Sequence, residues 1–223
     1  MAVGQGQRII AKRIFSGVMR HSAELFTSVQ SLLSQAGKEP EDIKQLYITV
    51  GPGSFTGLRI GVTMAKMMSF ANDIDIVAVS TMDVIAGNAS RYMADTSRQI
   101  KRIGIILDAK RKQFYVAIFE RIADEWEKVV PECLMTAADF VERFGGSEEP
   151  IWLLGEGLLY YAEQFRTDGI NIMEEDYWYP SAGSLYFIGR KLAQAGNFAD
   201  AAALKPFYLR EPEAVERRQR DRP

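Results

Sequence analysis

Residues 51–61 read Gly-Pro-Gly-Ser-Phe-Thr-Gly-Leu-Arg-Ile-Gly and follow directly on the apolar run Leu46 to Val50. Gly51, Gly53 and Gly57, with the hydroxyls of Ser54 and Thr56, give a turn of backbone N–H groups at the start of a helix. That layout can hold a phosphate or another anion. Two templates test it. A P-loop needs Lys and then Ser or Thr after its last glycine, where this chain has Leu58 and Arg59. A dinucleotide turn needs a third glycine where this chain has Thr56, and an acidic residue closing the next strand, which Ile76 to Ser80 lacks. Neither template fits. Two readings stay open: a turn that caps its own helix, and a generic anion site.

Other reactive side chains are few. Cys133 is the single cysteine, so an internal disulfide and a multi-cysteine zinc site are excluded. Its apolar surroundings, Val-Val-Pro-Glu-Cys-Leu-Met, predict a packed thiol. His21 is the single histidine and precedes a helix, so no His-x-x-x-His pair holds a metal and no triad is recognisable. Asp108, Lys110, Arg111 and Lys112 crowd one loop, either a solvated tip or a contact for phosphate. No catalytic residue and no metal ligand is assigned, and no cofactor-binding residue is identified.

The elements that position these groups follow from periodicity. Met1 to Val3 and Ile9 to Phe15 predict a hairpin turning at Gly4 and Gly6. Leu25, Phe26, Val29, Leu32, Leu33 and Ala36 repeat with the helical period between Ser22 and Gly37. Strands are expected at 46–50, 76–80, 103–107, 114–119, 128–135 and 151–154. Helices are expected after Gly57, from about Met82 to Met93, after Thr136, at about Leu158 to Phe165, and from Ser181 to Ala195. The polar stretch 95–102 reads as a linker, which divides the chain into an α/β lobe over 1–97 and a second over 98–223. The charged terminal run 216–223 reads as frayed.

The helix after Gly57 has an unusual surface. Gly57, Gly61, Ala65 and Ser69 recur every four residues, while Ile60, Met64, Met67, Met68 and Ala71 form a second apolar surface. A helix apolar nearly all round must be covered nearly all round. Either it is a buried central helix, or its small-residue groove and pliable methionines receive a partner.

With 47% hydrophobic and 25% charged residues, the chain falls among soluble globular proteins. Its net charge of −2 leaves no basic excess for a stand-alone nucleic-acid binder. No segment reaches membrane-span length and no signal-peptide core is present, so a cytoplasmic location is expected.

Four segments in order, the glycine turn 51–61, Arg20 to Leu33, Leu107 to Glu120 and Pro206 to Arg217, resemble the bacterial TsaB family. The match spans essentially the whole chain. The resemblance implies an actin-like, sugar-kinase-like (ASKHA) fold of two α/β lobes. It also implies a non-catalytic role beside a TsaD-like paralogue and a TsaE-like ATPase in forming N6-threonylcarbamoyladenosine in tRNA. ATP and metal are then expected on the partner subunits, with tRNA contacted at most indirectly. By the same resemblance the partner interface would draw on Leu25, Val29, Leu32, Gly57, Gly61, Met64, Ala65 and Met68. A homodimer through the same face is a further option.

The chain departs from the family at its start. Family members begin with a strand ending in Asp-Thr-Ser, whereas Ala2 and Val3 match the second strand of that entry. The expectation is a first lobe without its N-terminal strand, Met1 being a shortened or wrongly chosen start. The competing class is an enzyme: an ATP-dependent kinase of the same fold, or a glycoprotease-like peptidase. The first needs an acidic base near the phosphates and the second needs metal ligands, and neither set is found in this chain.

Overall fold

The computed structural model describes residues 1–14 and 21–209, the side chains of 21–24 excepted; the predicted strand end at Phe15 and the terminal run 216–223 lie outside the described residues. The chain forms two compact units, one of Met1–Val84 with Ser181–Phe207 and one built on Ile85–Pro180. The boundary expected at residues 97 and 98 does not coincide with this division. The chain passes between units near residues 84 and 180 because its late helix packs on early strands.

In the first unit, β1 (Ala2–Gln5) and β2 (Arg8–Lys12) form an antiparallel hairpin, with Gly6 at φ +60° in its turn. Helix α1 (His21–Ala36) packs against this hairpin. Strand β3 (Gln45–Gly51) leads through the glycine turn into α2 (Phe55–Asn72), and β4 (Asp75–Ser80) then pairs parallel with β3. This is a right-sized β-α-β unit, its connection long enough for a parallel return. Helix α3 (Thr81–Thr96) begins in this unit and continues into the second.

The late helix α6 (Ala182–Gln194) packs on β3 and β4 and also on β1 and β2. Its N-terminus is fixed by Ser181, whose hydroxyl accepts the Ser184 N–H at 2.9 Å. Among the described residues β1 pairs only with β2, and β3 only with β4. Tyr186 of α6 reaches both pairs. Its hydroxyl donates to the Gly6 carbonyl at 2.9 Å, its ring lies where a Gly4 Cβ would stand, and its centroid is 5.9 Å from that of Tyr47.

The second unit is built on a five-stranded sheet in the order β7-β6-β5-β8-β9. Strands β5 (Arg102–Asp108) and β6 (Phe114–Ile122) form the predicted hairpin, and β7 (Glu125–Met135) extends it antiparallel. Thr136 and Asp139 form a reciprocal capping box at the start of α4 (Ala137–Phe144). Strand β8 (Ile151–Leu154) runs parallel to β5, and α5 (Leu158–Tyr161) follows its glycine turn. The helix expected over 158–165 is only one α-helical turn, continued as a 3-10 turn over Ala162–Phe165. Strand β9 (Ile170–Ile172), three residues long, closes the sheet. Buried Phe114, Phe140 and Phe165 meet edge-to-face, with centroids 5.1 and 5.5 Å apart, so aromatic packing forms much of this core.

Candidate functional site

The glycine turn of the first unit is shaped by local chemistry. Gly51 sits at φ +126°, a conformation open to glycine, and a Cβ there would lie 2.6 Å from the Phe207 carbonyl oxygen. The Gly51–Pro52 bond is cis. The Phe207 N–H donates to the Val50 carbonyl at 2.7 Å, so the Phe207 backbone lies directly against the turn. Ser54 is the N-cap of α2: its hydroxyl accepts the Gly57 N–H at 3.3 Å, and its carbonyl accepts the Leu58 N–H at 2.9 Å. Two N–H groups of the turn are thus satisfied by Ser54 itself. Arg59 lies over the Phe55 ring at 3.8 Å, which keeps a guanidinium at the same helix end.

Helix α2 then presents two unlike faces. Its inner face packs Val62 and the fully buried Ala65 against Ile76 and Leu204, with Leu46, Ile48 and Val50 around them. Lys66 ties the same region down, donating to the carbonyls of Ala202 and Leu204 at 2.9 and 3.0 Å. The outer face centres on Met67, 56% exposed, with Phe70 at 69%. Met64 and Ala71 are three and four residues from Met67 and Ile60 is seven, so all three share its side of the helix. On α1, which touches α2, Phe26 is 58% exposed.

The expected interface residues divide between these faces. Ala65 and Leu32 are buried in the chain's own core, and a Cβ on Gly61 would meet the Ile48 Cδ1 at 3.5 Å. Of the small-residue stripe, Gly61 and Ala65 therefore lie toward β3 and the chain's own core. Met64, Met68, Leu25 and Val29 are half-buried, and Gly57 is exposed beside Ser54. Met67, Phe70 and Phe26 were not among the expected residues, yet they expose the most apolar surface here. Their spacing around Met67 was the available signal; what it lacked was knowledge of which side the sheet occupies.

The second strand-glycine-helix turn differs. Gly155, at φ +127°, is held so closely that a Cβ would stand 2.2 Å from the Ile106 carbonyl oxygen of β5. Between Gly155 and Gly157, Glu156 accepts the Asp108 N–H through Oε1 at 3.2 Å. Burial pushes the Glu156 carboxyl above its ordinary value, and the nearby Asp108 charge adds to the rise. Asp108 accepts the Lys110 N–H at 2.7 Å and its ammonium at 2.6 Å, which holds the Lys110 amine above the usual lysine range. Lys110, Arg111 and Lys112 have φ of +65°, +56° and +61°. Three consecutive non-glycine residues in this region cost on the order of 1–2 kcal/mol each. Asp108 and the Gln113 N–H bond to the Lys110 carbonyl, at 3.1 Å, hold the tip in place.

Cys133 is half-buried, its thiol 3.7 Å from the Val116 carbonyl and pushed up in pKa by burial, as a packed thiol should be. The side chain of His21 lies outside the described ones. Among the described residues no group of three or more His, Cys, Asp or Glu is arranged to hold a metal ion, and no helix is long and apolar enough to cross a membrane.

Residues 9–213 match the protein family described as TsaD, tRNA N6-adenosine threonylcarbamoyltransferase. The tRNA threonylcarbamoyladenosine biosynthesis protein TsaB of Bacillus subtilis (strain 168) is 31% identical over 210 residues, covering 92% of this chain and 86% of that protein. The chain belongs to the TsaB family. TsaB of Escherichia coli (strain K12) is 25% identical over 193 residues, covering 85% of this chain and 80% of the relative. The structure of YeaZ from Pseudomonas aeruginosa superposes with a TM-score of 0.72 at 22% identity, covering 86% of this chain and 85% of that one. With the TsaD-type family match, this likeness makes the fold the actin-like, sugar-kinase-like one. Family membership places the chain in tRNA threonylcarbamoyladenosine biosynthesis.

Proposed function

We propose that the chain is a non-catalytic scaffold that pairs with a TsaD-like paralogue through the outer face of α2 and the adjoining surface of α1. The exposed apolar face of Met67 and Phe70 carries this reading. A family member folded on a β-α-β core has no internal need for these side chains in water, and such patches mark interaction surfaces. Fully burying each is worth roughly 1.5–3 kcal/mol. Methionines at 64, 67 and 68 let the surface conform to a partner.

On this reading Leu25, Val29, Met64 and Met68 form the half-buried border of the contact, and Gly57 lies at its glycine-turn end. Leu32, Gly61 and Ala65 set the helix positions from beneath. The paralogue, with a TsaE-like ATPase, supplies nucleotide, metal and transfer chemistry, and tRNA is contacted at most indirectly. The setting is the cytoplasm.

The test is co-purification with the TsaD-like paralogue of the same organism, followed by tRNA threonylcarbamoylation with and without this chain. Activity that requires it only beside the paralogue supports the scaffold. ATP turnover or peptide cleavage by the isolated chain would overturn it in favour of an enzyme. A homodimer that persists when the paralogue is added would assign the face to self-association instead.

A further inference from the structure

Among the described residues of the first unit, β1 pairs only with β2 and β3 only with β4, although all four strands pack on α6. Their order along that helix follows from its contacts. A Cβ on Gly183 would meet Ile9 of β2 at 3.5 Å, and the Tyr186 ring lies against Gly4 of β1. Further on, a Cβ on Gly189 would meet the Tyr47 ring of β3 at 2.4 Å, and Ala193 shares a core cluster with Val77 and Val79 of β4. The inner strands are therefore β1 and β3, and the edges they turn toward each other are the unpaired ones.

Backbone direction and burial show both edges to be open. The Met1 amine donates to the Arg13 carbonyl at 2.8 Å, and the Arg13 N–H donates to the Met1 carbonyl at 2.9 Å. Polar groups alternate in direction along a strand, so the Ala2 N–H and carbonyl point away from β2. On β3, Tyr47 packs toward α6, while Leu46, Ile48 and Val50 pack toward α2. Both faces are thus covered, yet Leu46 to Val50 all stay half-buried, whereas Ile76, Val77 and Val79 of β4 are at most 2% exposed. Water reaches β3 through its edge. The outer edge of β4 is crossed by Ala199, whose N–H donates to the Ile76 carbonyl at 2.8 Å; on β3 only the strand's end is met, where the Val50 carbonyl accepts the Phe207 N–H. Open edges of this kind are templates for another chain.

We propose that the facing edges of β1 and β3 take up an extended segment of another polypeptide as an added strand. The two strands are four and seven residues long, so the segment has about four to six residues. Its side chains would alternate between the α2 side and the α6 side of the sheet, so it must be apolar on both faces. Strand β4, packed by the same two helices on the other edge of β3, has that character in Asp-Ile-Val-Ala-Val-Ser. The proposal goes beyond the scaffold reading and does not depend on it, because Met67 and Phe70 stand on the face of α2 turned from the sheet.

The test titrates a labelled synthetic peptide copying β4, flanked by lysines for solubility, into the full chain by fluorescence anisotropy, and maps the complex by amide hydrogen exchange. Exchange should slow at least about tenfold within Leu46–Val50 and stay unchanged over Met67–Phe70. Methylating the amide nitrogens of two successive central peptide residues keeps its side chains but removes one bond to each neighbouring strand, and should weaken binding at least about tenfold. Ala2→Pro removes an outward N–H and spares the β1–β2 ladder, so it should weaken binding about fivefold with an unchanged melting curve. No binding of the peptide, equal binding of its methylated form, or slowed exchange confined to α2 would overturn the proposal. So would slow exchange of Leu46–Val50 in the free chain that is lost on removing residues 210–223, because the chain's own terminal segment would then be the occupant.

Discussion

The two strand-glycine-helix turns have the same layout and opposite consequences. At Gly51 the turn is overlaid by the backbone of Phe207, Ser54 caps the helix, and eighteen residues of α2 follow with one face in the core and one in water. At Gly155 the turn is pressed onto β5, the helix lasts four residues, and the turn's Glu156 is committed to the neighbouring hairpin. Glycine is needed at both for close backbone approach. What each turn delivers depends on the length and face of the helix that follows. A long helix half covered by its own sheet leaves Met67 and Phe70 exposed on its other face, and the short one exposes Leu159 and Tyr160.

The contrast can be broken at several points. Gly155→Ala should be most costly, because the added carbon meets a strand carbonyl at 2.2 Å in a backbone region restricted to glycine. We expect a loss of about 3–4 kcal/mol in denaturant unfolding. Gly51→Ala meets the Phe207 carbonyl oxygen at 2.6 Å, in a late segment outside any strand rather than in a sheet strand. We expect about 2 kcal/mol there; a loss equal to that at Gly155 would show that the two turns are equally constrained.

Gly61→Leu sharpens the comparison of α2's two faces. Because the Gly61 position faces Ile48, overpacking should cost about 1–3 kcal/mol of stability before any effect on association. A variant of unchanged stability that fails to pair would put the small-residue stripe back at the interface.

Glu156→Gln is the smallest effect. The Glu156 carboxyl is raised in the folded state, so the native chain holds its proton more tightly than the unfolded chain and stability falls as pH climbs through the folded value. The amide variant retains an acceptor for the Asp108 N–H, so it should melt slightly higher than the parent near neutral pH. That advantage should vanish below the ordinary glutamate range, where both forms are neutral. A lower melting temperature at neutral pH would mean that the charge itself braces the hairpin.

Much of this was legible in the sequence because its signals are local. Ser181 and Thr136 announce their helices by capping, the run Ile103 to Phe119 shows its hairpin by composition and turn, and Gly51 to Gly57 must turn sharply after a strand. Strand β9 escaped notice because three residues, Ile-Asn-Ile, carry too little alternation to read. The place of Ser181–Phe207 in the first unit was hidden for a different reason. Its packing on β3 and β4 joins residues more than a hundred positions apart, whereas the polar stretch 95–102 gave a strong local cue for a boundary. The faces of α2 failed in the same way. Gly61, Ala65 and Met67 are all apolar or small, and only the positions of Ile48, Ile76 and Leu204 decide which of them look inward. The left-handed triplet at Lys110 to Lys112 contains no glycine or asparagine to signal it.

The central claim is that the outer face of α2 docks a TsaD-like paralogue, and the most direct measurement is the affinity of Met67→Asp with Phe70→Asp for that partner. Both side chains are exposed in the free chain, so the variant should fold with a melting curve close to the parent's. Placing two carboxylates in an apolar contact should weaken pairing by at least about a hundredfold. Pairing at parental affinity by the folded variant would contradict the account and move the interface elsewhere on the chain.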